Sequence, residues 1–147
     1  MKTSAKILSL LVLVFFLASI QSCKKKKGED PEPTEAEKTT VLLTKATWKL
    51  QTLTIDGVAD DGFFKDLQVT FTDTGFTAVN GDPIWPASGN WTFTDANARK
   101  MKRGDGVEVI IDEITETGFT ATIIWDKTTT GGRVESVPGR HVFKFGQ

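Results

Sequence analysis

Gly118-Phe119-Thr120-Ala121-Thr122-Ile123-Ile124-Trp125 decides the fold. Phe119, Ala121, Ile123 and Trp125 alternate with Thr120 and Thr122. A repeat of two puts every second side chain on one face of an extended strand, whereas a helix repeats every 3.6 residues. The same alternation runs through Leu67-Val69-Phe71, Trp91-Phe93, Val107-Val109-Ile111 and His141-Phe143-Phe145. One face is aromatic and aliphatic and the other is mostly Thr, Lys and Glu, the pattern of an antiparallel sheet with one buried side. Thr, Val, Ile, Phe and Trp are also the residues that suit a pleated surface.

Turn residues separate these runs: Asp56-Gly57, Asp73-Thr74-Gly75, Asp95-Ala96-Asn97, Gly104-Asp105-Gly106, Glu116-Thr117-Gly118 and Thr130-Gly131-Gly132. Gly, Asp and Asn supply the positive φ values that hairpin turns require. The pattern predicts strands over 46–55, 66–72, 75–80, 89–94, 98–103, 106–114, 118–126 and 134–145, with Pro138-Gly139 breaking the last. The only helix expected is a turn or two over 36–45. Short connections between successive strands mean an up-and-down meander. Phe71-Thr72-Asp73-Thr74-Gly75-Phe76-Thr77-Ala78 recurs as Ile114-Thr115-Glu116-Thr117-Gly118-Phe119-Thr120-Ala121. Two hairpins under one turn constraint converge on such letters, so this is no repeat architecture.

Eight strands can close into a barrel or split into a β-sandwich; closure removes the edges. Thr47-Trp48-Lys49-Leu50 resembles the first-strand tryptophan motif of lipocalins and of short bacterial lipocalin-like lipoproteins. Val69-Thr70-Phe71-Thr72, Ser88-Gly89-Asn90-Trp91-Thr92-Phe93-Thr94-Asp95, Ile114-Thr115-Glu116-Thr117 and Gly139-Arg140-His141-Val142-Phe143 are similar to that group as well. Ala46 stands where the lipocalin motif usually has glycine. The resemblance implies an all-β, eight-stranded lipocalin-like barrel. It also implies that a late-strand arginine, Arg140 or else Arg133, stacks over Trp48 to close the barrel base.

The expected inward set is Trp48, Phe71, Phe76, Trp91, Phe93, Phe119, Trp125, Phe143 and Phe145. An eight-stranded barrel is just wide enough to be filled by side chains or to hold one small ligand. Two readings follow. In one, a pocket opposite Trp48 takes a small apolar ligand against Trp85, Phe76, Phe119 and Trp125. The loop Asn80-Gly81-Asp82-Pro83-Ile84-Trp85-Pro86 is then its lid. In the other, the aromatics fill the barrel, Trp85 packs down as a plug, and the protein works through a partner in the cell envelope.

Nothing in the chain spells catalysis. His141 is the sole histidine, so no site of two or three histidines can hold a metal. There is no G-x-S-x-G elbow and no P-loop. The acidic residues Asp60-Asp61, Asp112-Glu113 and Asp126 are scattered, and His141 falls on the apolar side of its strand. A non-enzyme without metal or cofactor is expected. With no basic patch and a net charge of −1, no nucleic-acid partner is expected either. Arg103-Gly104-Asp105 spells an adhesive tripeptide, yet Gly104-Asp105-Gly106 is also what a tight turn wants.

The front of the chain speaks to location. Lys2 and Lys6 precede an apolar run over Ile7–Ile20, too short for a spanning helix of about 20 residues and fitting a secretion signal. Ile20-Gln21-Ser22-Cys23 resembles a bacterial lipobox, which implies diacylglycerol on the thiol of Cys23 and cleavage before it. Cys23 is the only cysteine, so lipidation would also consume the one exported thiol. Lys24 follows it, and the family's sorting pattern then implies the outer membrane, on the periplasmic or the surface face. The expected organisation is a signal peptide over 1–22, a lipidated cysteine and solvated tether over 23–40, and a barrel domain over 41–147.

Overall fold

The computed structural model describes residues 31–60, 62–127 and 138–147. The signal, Cys23 and Arg133 lie outside them. The barrel belongs to a compact unit spanning Pro33–Gln147.

The strands are β1 (Thr47–Ile55), β2 (Val58–Asp60), β3 (Gln68–Phe71), β4 (Gly75–Val79), β5 (Ser88–Phe93), β6 (Lys100–Arg103), β7 (Glu108–Ile114), β8 (Gly118–Trp125) and β9 (Gly139–Gly146). All pairings are antiparallel and, β2 aside, run in chain order. β1 also pairs with β9, from Lys49↔Gly146 to Ile55↔His141. That ladder closes β1 and β3–β9 into an eight-stranded barrel, so the sandwich alternative falls. The deciding stretch behaves as its alternation requires: Phe119, Ala121, Ile123 and Trp125 are all buried.

β2 was not expected. Asp56 and Gly57 have φ of 50° and 83°, and both central residues of a type I′ hairpin need positive φ. The turn folds Val58–Asp60 back onto Leu53–Ile55, beside the part of β1 that β3 does not reach. The last strand begins its described course at Gly139; residues 128–137, which include the expected start at 134, lie outside the described set.

A helix, α1 (Glu35–Thr44), precedes the barrel. Thr34 and Glu37 form a capping box, each side chain bonding the other's backbone N–H, which satisfies donors that the first helical turn leaves open. Thr39 and Leu43, four apart and so on one face, are buried. The Trp48 indole N–H donates to the Leu43 carbonyl at 2.8 Å, and its ring lies 5.8 Å from Phe119. The compact unit that begins at Pro33 thus takes in this helix together with the barrel.

Arg140, the first arginine expected over Trp48, does not lie there, and Arg133 is outside the described residues. Trp48 sits just before the Lys49↔Gly146 pair, and Arg140 just before His141 of the Ile55↔His141 pair. They occupy opposite ends of the closing ladder, separated by about 20 Å at roughly 3.3 Å per strand residue. Arg140 is exposed. Its backbone N–H donates to the Asp56 carboxylate at 2.9 Å. Helix α1 covers Trp48 instead. Truncating Trp48 to alanine removes both a buried ring and the Leu43 bond. We expect it to cost about 3–5 kcal/mol, measured as a lowered denaturant midpoint.

Candidate functional site

The interior of the barrel is the place to look for a site, and aromatic rings occupy it. A column of near-parallel rings descends β9 and crosses to β8. His141 stacks on Phe143 at 6.0 Å, Phe143 on Phe145 at 6.0 Å and Phe145 on Phe119 at 5.5 Å. Of the expected inward set, eight are buried; Phe93 is half-buried and lies 4.9 Å from Trp91.

The β4–β5 loop supplies the centre. Asn80 adopts φ 59° and the Asp82–Pro83 peptide is cis. Gly81 follows the turn because a Cβ there would lie 2.5 Å from Trp85 Cβ. The loop so shaped drives Ile84 and Trp85 into the barrel, both wholly buried. The indole meets Phe71, Phe76, Phe143 and Phe145 edge-on, with centroids 6.2, 5.7, 6.0 and 6.2 Å away. Edge-to-face pairs of this kind each add about 0.5–1.5 kcal/mol beyond area burial. Trp85 is thus the plug of the second reading, not a lid residue facing a cavity.

Arg103 locks the plug. It is the last residue of β6, where Met101 and Arg103 point inward while Lys100 and Lys102 point out. Its side chain is 1% exposed. Nη1 donates to the Ile84 carbonyl at 2.5 Å. Nε and Nη2 hold Asp105 at 3.2 and 2.5 Å. The guanidinium lies 5.5 Å from the ring centres of both Phe76 and Trp85, within cation–π range. Burial pushes the Asp105 carboxyl up, but the Arg103 guanidinium, the Val107 N–H and Lys127 outweigh it and hold it below its ordinary value. The Arg103-Gly104-Asp105 tripeptide is therefore a clasp closed on itself, and it does not present its arginine to solvent.

The other expected ligand contacts are also core. Phe76 and Phe119 are buried in the aromatic packing. Trp125 is 5% exposed, with the Lys127 ammonium 5.3 Å from its ring centre. Among the described residues, three buried ring nitrogens have no partner: Trp85 Nε1, Trp125 Nε1 and His141 Nε2. His141 Nδ1 pairs with the Gly139 carbonyl at 3.1 Å, so in the neutral ring Nδ1 carries the proton and Nε2 is a bare acceptor. The expected barrel-end histidine is there, half satisfied. Among the described residues, no three His, Cys, Asp or Glu side chains gather as a metal site.

A scan against protein-family models, a search of curated proteins and a search of solved structures each found no match. The chemistry of the site rests on its own geometry.

Two tests follow from that geometry. Burial holds the His141 pKa below 6.5; the Gly139 carbonyl and the charges of Asp56 and Asp60 offset this only in part. On acidification the unfolded chain takes the proton first, so stability is full above about pH 6.5 and falls as pH drops below it. The lowered carboxylates, Glu35, Glu37, Asp105 and Glu116, act only further down. Denaturation midpoints should decline between about pH 6.5 and 5 in the native protein and stay flat in His141→Phe. Separately, Gly81→Ala must force the loop off Trp85. We expect a loss of about 1–3 kcal/mol, the usual cost of overpacking.

Proposed function

We propose that the protein is a non-enzymatic lipoprotein of the bacterial cell envelope. Acyl chains on Cys23 hold it on the outer membrane. Its barrel resembles that of the short lipocalin-like lipoproteins, but it serves as a solid module that engages an envelope protein through its outer surface. One observation carries this over the carrier reading: Trp85 fills the middle of the barrel among Phe71, Phe76, Phe143 and Phe145, pinned by Arg103. A small apolar ligand finds that place taken until several rings move, and packed cores do not yield continuously.

The anchor rests on the lipobox resemblance and on membrane chemistry. One acyl chain binds only marginally, while two or more hold stably. The segment Lys24–Lys27 beside the lipid adds attraction to anionic headgroups of about 1 kcal/mol per charge.

Native mass spectrometry of the full-length protein, incubated with envelope lipid extract, should give a mass with no adduct beyond the lipid on Cys23. A further discrete adduct that survives purification would restore the carrier reading. Cys23→Ser should move the protein from the membrane pellet to the soluble fraction and abolish incorporation of labelled fatty acid. Retention of the label would place the acyl group elsewhere.

A further inference from the structure

The outer face of β7, β8 and β9 carries a pattern that the packing of the barrel does not require. Outward residues form three rows across these strands. In one row Thr122 lies between Ile110 and Val142, and in the next Thr120 lies between Glu113 and Lys144. Two residues along each strand from the Ile110↔Thr122 pair, Glu108 comes level with Ile124, whose other neighbour is Arg140. The β7 edge of the face is therefore Glu108, Ile110 and Glu113, and the β9 edge is Arg140, Val142 and Lys144. One edge is acidic and the other basic, and each has an aliphatic residue at its middle.

These charges are not used within the chain. Among the described residues, the side chains of Glu113, Arg140 and Lys144 form no ion pair, and Glu108 meets only Lys100, at 3.8 Å. The strand between them holds the acid and the base of a row two strand spacings apart, about 10 Å. Thr122 at the centre is buried, and its hydroxyl donates to Asp112, the other residue of the β7 bulge, at 2.6 Å. Beside it Ile124 is 60% exposed.

Such a face is complementary to itself. A two-fold axis laid along β8 turns a second copy over and sets its β9 on the first copy's β7. Arg140 then lies over Glu108, Val142 over Ile110 and Lys144 over Glu113, each contact occurs twice, and Ile124 meets Ile124 at the axis. A two-fold axis laid across the strands would set Arg140 over Lys144 and Glu108 over Glu113, and repulsion between like charges disfavours it. The convex barrel brings few strands into contact. Three strands present about 15 Å by 20 Å, well below the ~800 Å² that each partner buries in a standard interface. The contact is therefore weak in free solution, and holding the copies on one membrane raises their effective concentration.

We propose that the protein forms a weak two-fold dimer through the outer faces of β7, β8 and β9, the acidic edge of each copy meeting the basic edge of the other. Resting on the outer-surface reading, the dimer makes a second copy of this chain the envelope partner. Ile110, Ile124 and Val142 supply the apolar middle of the contact, and the charges stay at its rim. Charges so placed set orientation and reject wrong pairings more than they add affinity.

The test is thiol crosslinking of the full-length protein in intact bacterial cells, with Ile124→Cys and a bis-maleimide that spans about 10 Å, the spacing of face-to-face sheets. Peptide mass mapping locates each link. Residue 124 should link to residue 124 of a second copy, while Thr92→Cys, exposed on β5, should give no dimer. Lys144→Glu in the Ile124→Cys background should slow the link about fivefold or more, because two ion pairs become two repulsions. Adding Glu113→Lys should restore the rate. A link at residue 124 no faster than that of Thr92→Cys overturns the proposal, and so does a link from residue 124 to a different protein alone. Lys144→Glu without effect, or no rescue by Glu113→Lys, overturns the opposed arrangement of β7 and β9. A link at Cys23 reports a free thiol; it counts against the lipid anchor and leaves the link at residue 124 to decide the dimer.

Discussion

The Arg103 guanidinium is the interaction on which the interior depends. It faces Asp105 at the rim, the Ile84 carbonyl below and the rings of Phe76 and Trp85. Without those partners a buried charge would be prohibitive. With them, one side chain from β6 fixes a loop between β4 and β5 in the middle of the barrel. The aromatic packing of β3, β4 and β9 is then arranged around the indole that this loop delivers.

The two ends of the barrel are finished by different physics. At the Trp48 end, α1 lays Thr39 and Leu43 against the barrel and gives a carbonyl to the indole. At the other end, the ring column reaches His141, where burial lowers the imidazole pKa against the pull of the Gly139 carbonyl, Asp56 and Asp60. The first end is satisfied in apolar and polar terms alike. The second keeps unpaired ring nitrogens, and it is the end toward which β8 finishes and β9 begins.

Much of this was legible from alternation alone. Where apolar residues recur every second position, as in 119–125 and 141–145, strand, face and neighbour follow from the pleat. Trp85 gave no such signal. It stands between two prolines outside any run, so nothing local says whether it points in or out; the direction comes from Gly81 and the turn at Asn80. Arg103 did carry a signal. It continues the inward alternation of Met101, but an arginine is seldom fully buried, and the Arg103-Gly104-Asp105 tripeptide reads first as part of a tight turn. β2 was announced by Asp56-Gly57, yet Val58–Asp60 is too short to show a period. Arg140 was misplaced because the resemblance supplied a partner for Trp48, whereas the β1–β9 register puts the two at opposite ends.

A barrel filled by its own loop differs from an open carrier in what it can present. With the interior filled by Trp85 and its ring neighbours, recognition falls to the outer surface. The most direct measurement is solvent exchange of the Trp85 indole proton, read by nitrogen–proton NMR on protein labelled at tryptophan and assigned by Trp85→Phe. The account predicts an indole signal protected from exchange like those of Trp48 and Trp91, despite having no hydrogen-bond partner. An indole that exchanges as freely as one on the surface would mean that Trp85 does not sit in the barrel, and the filled-barrel account would fail.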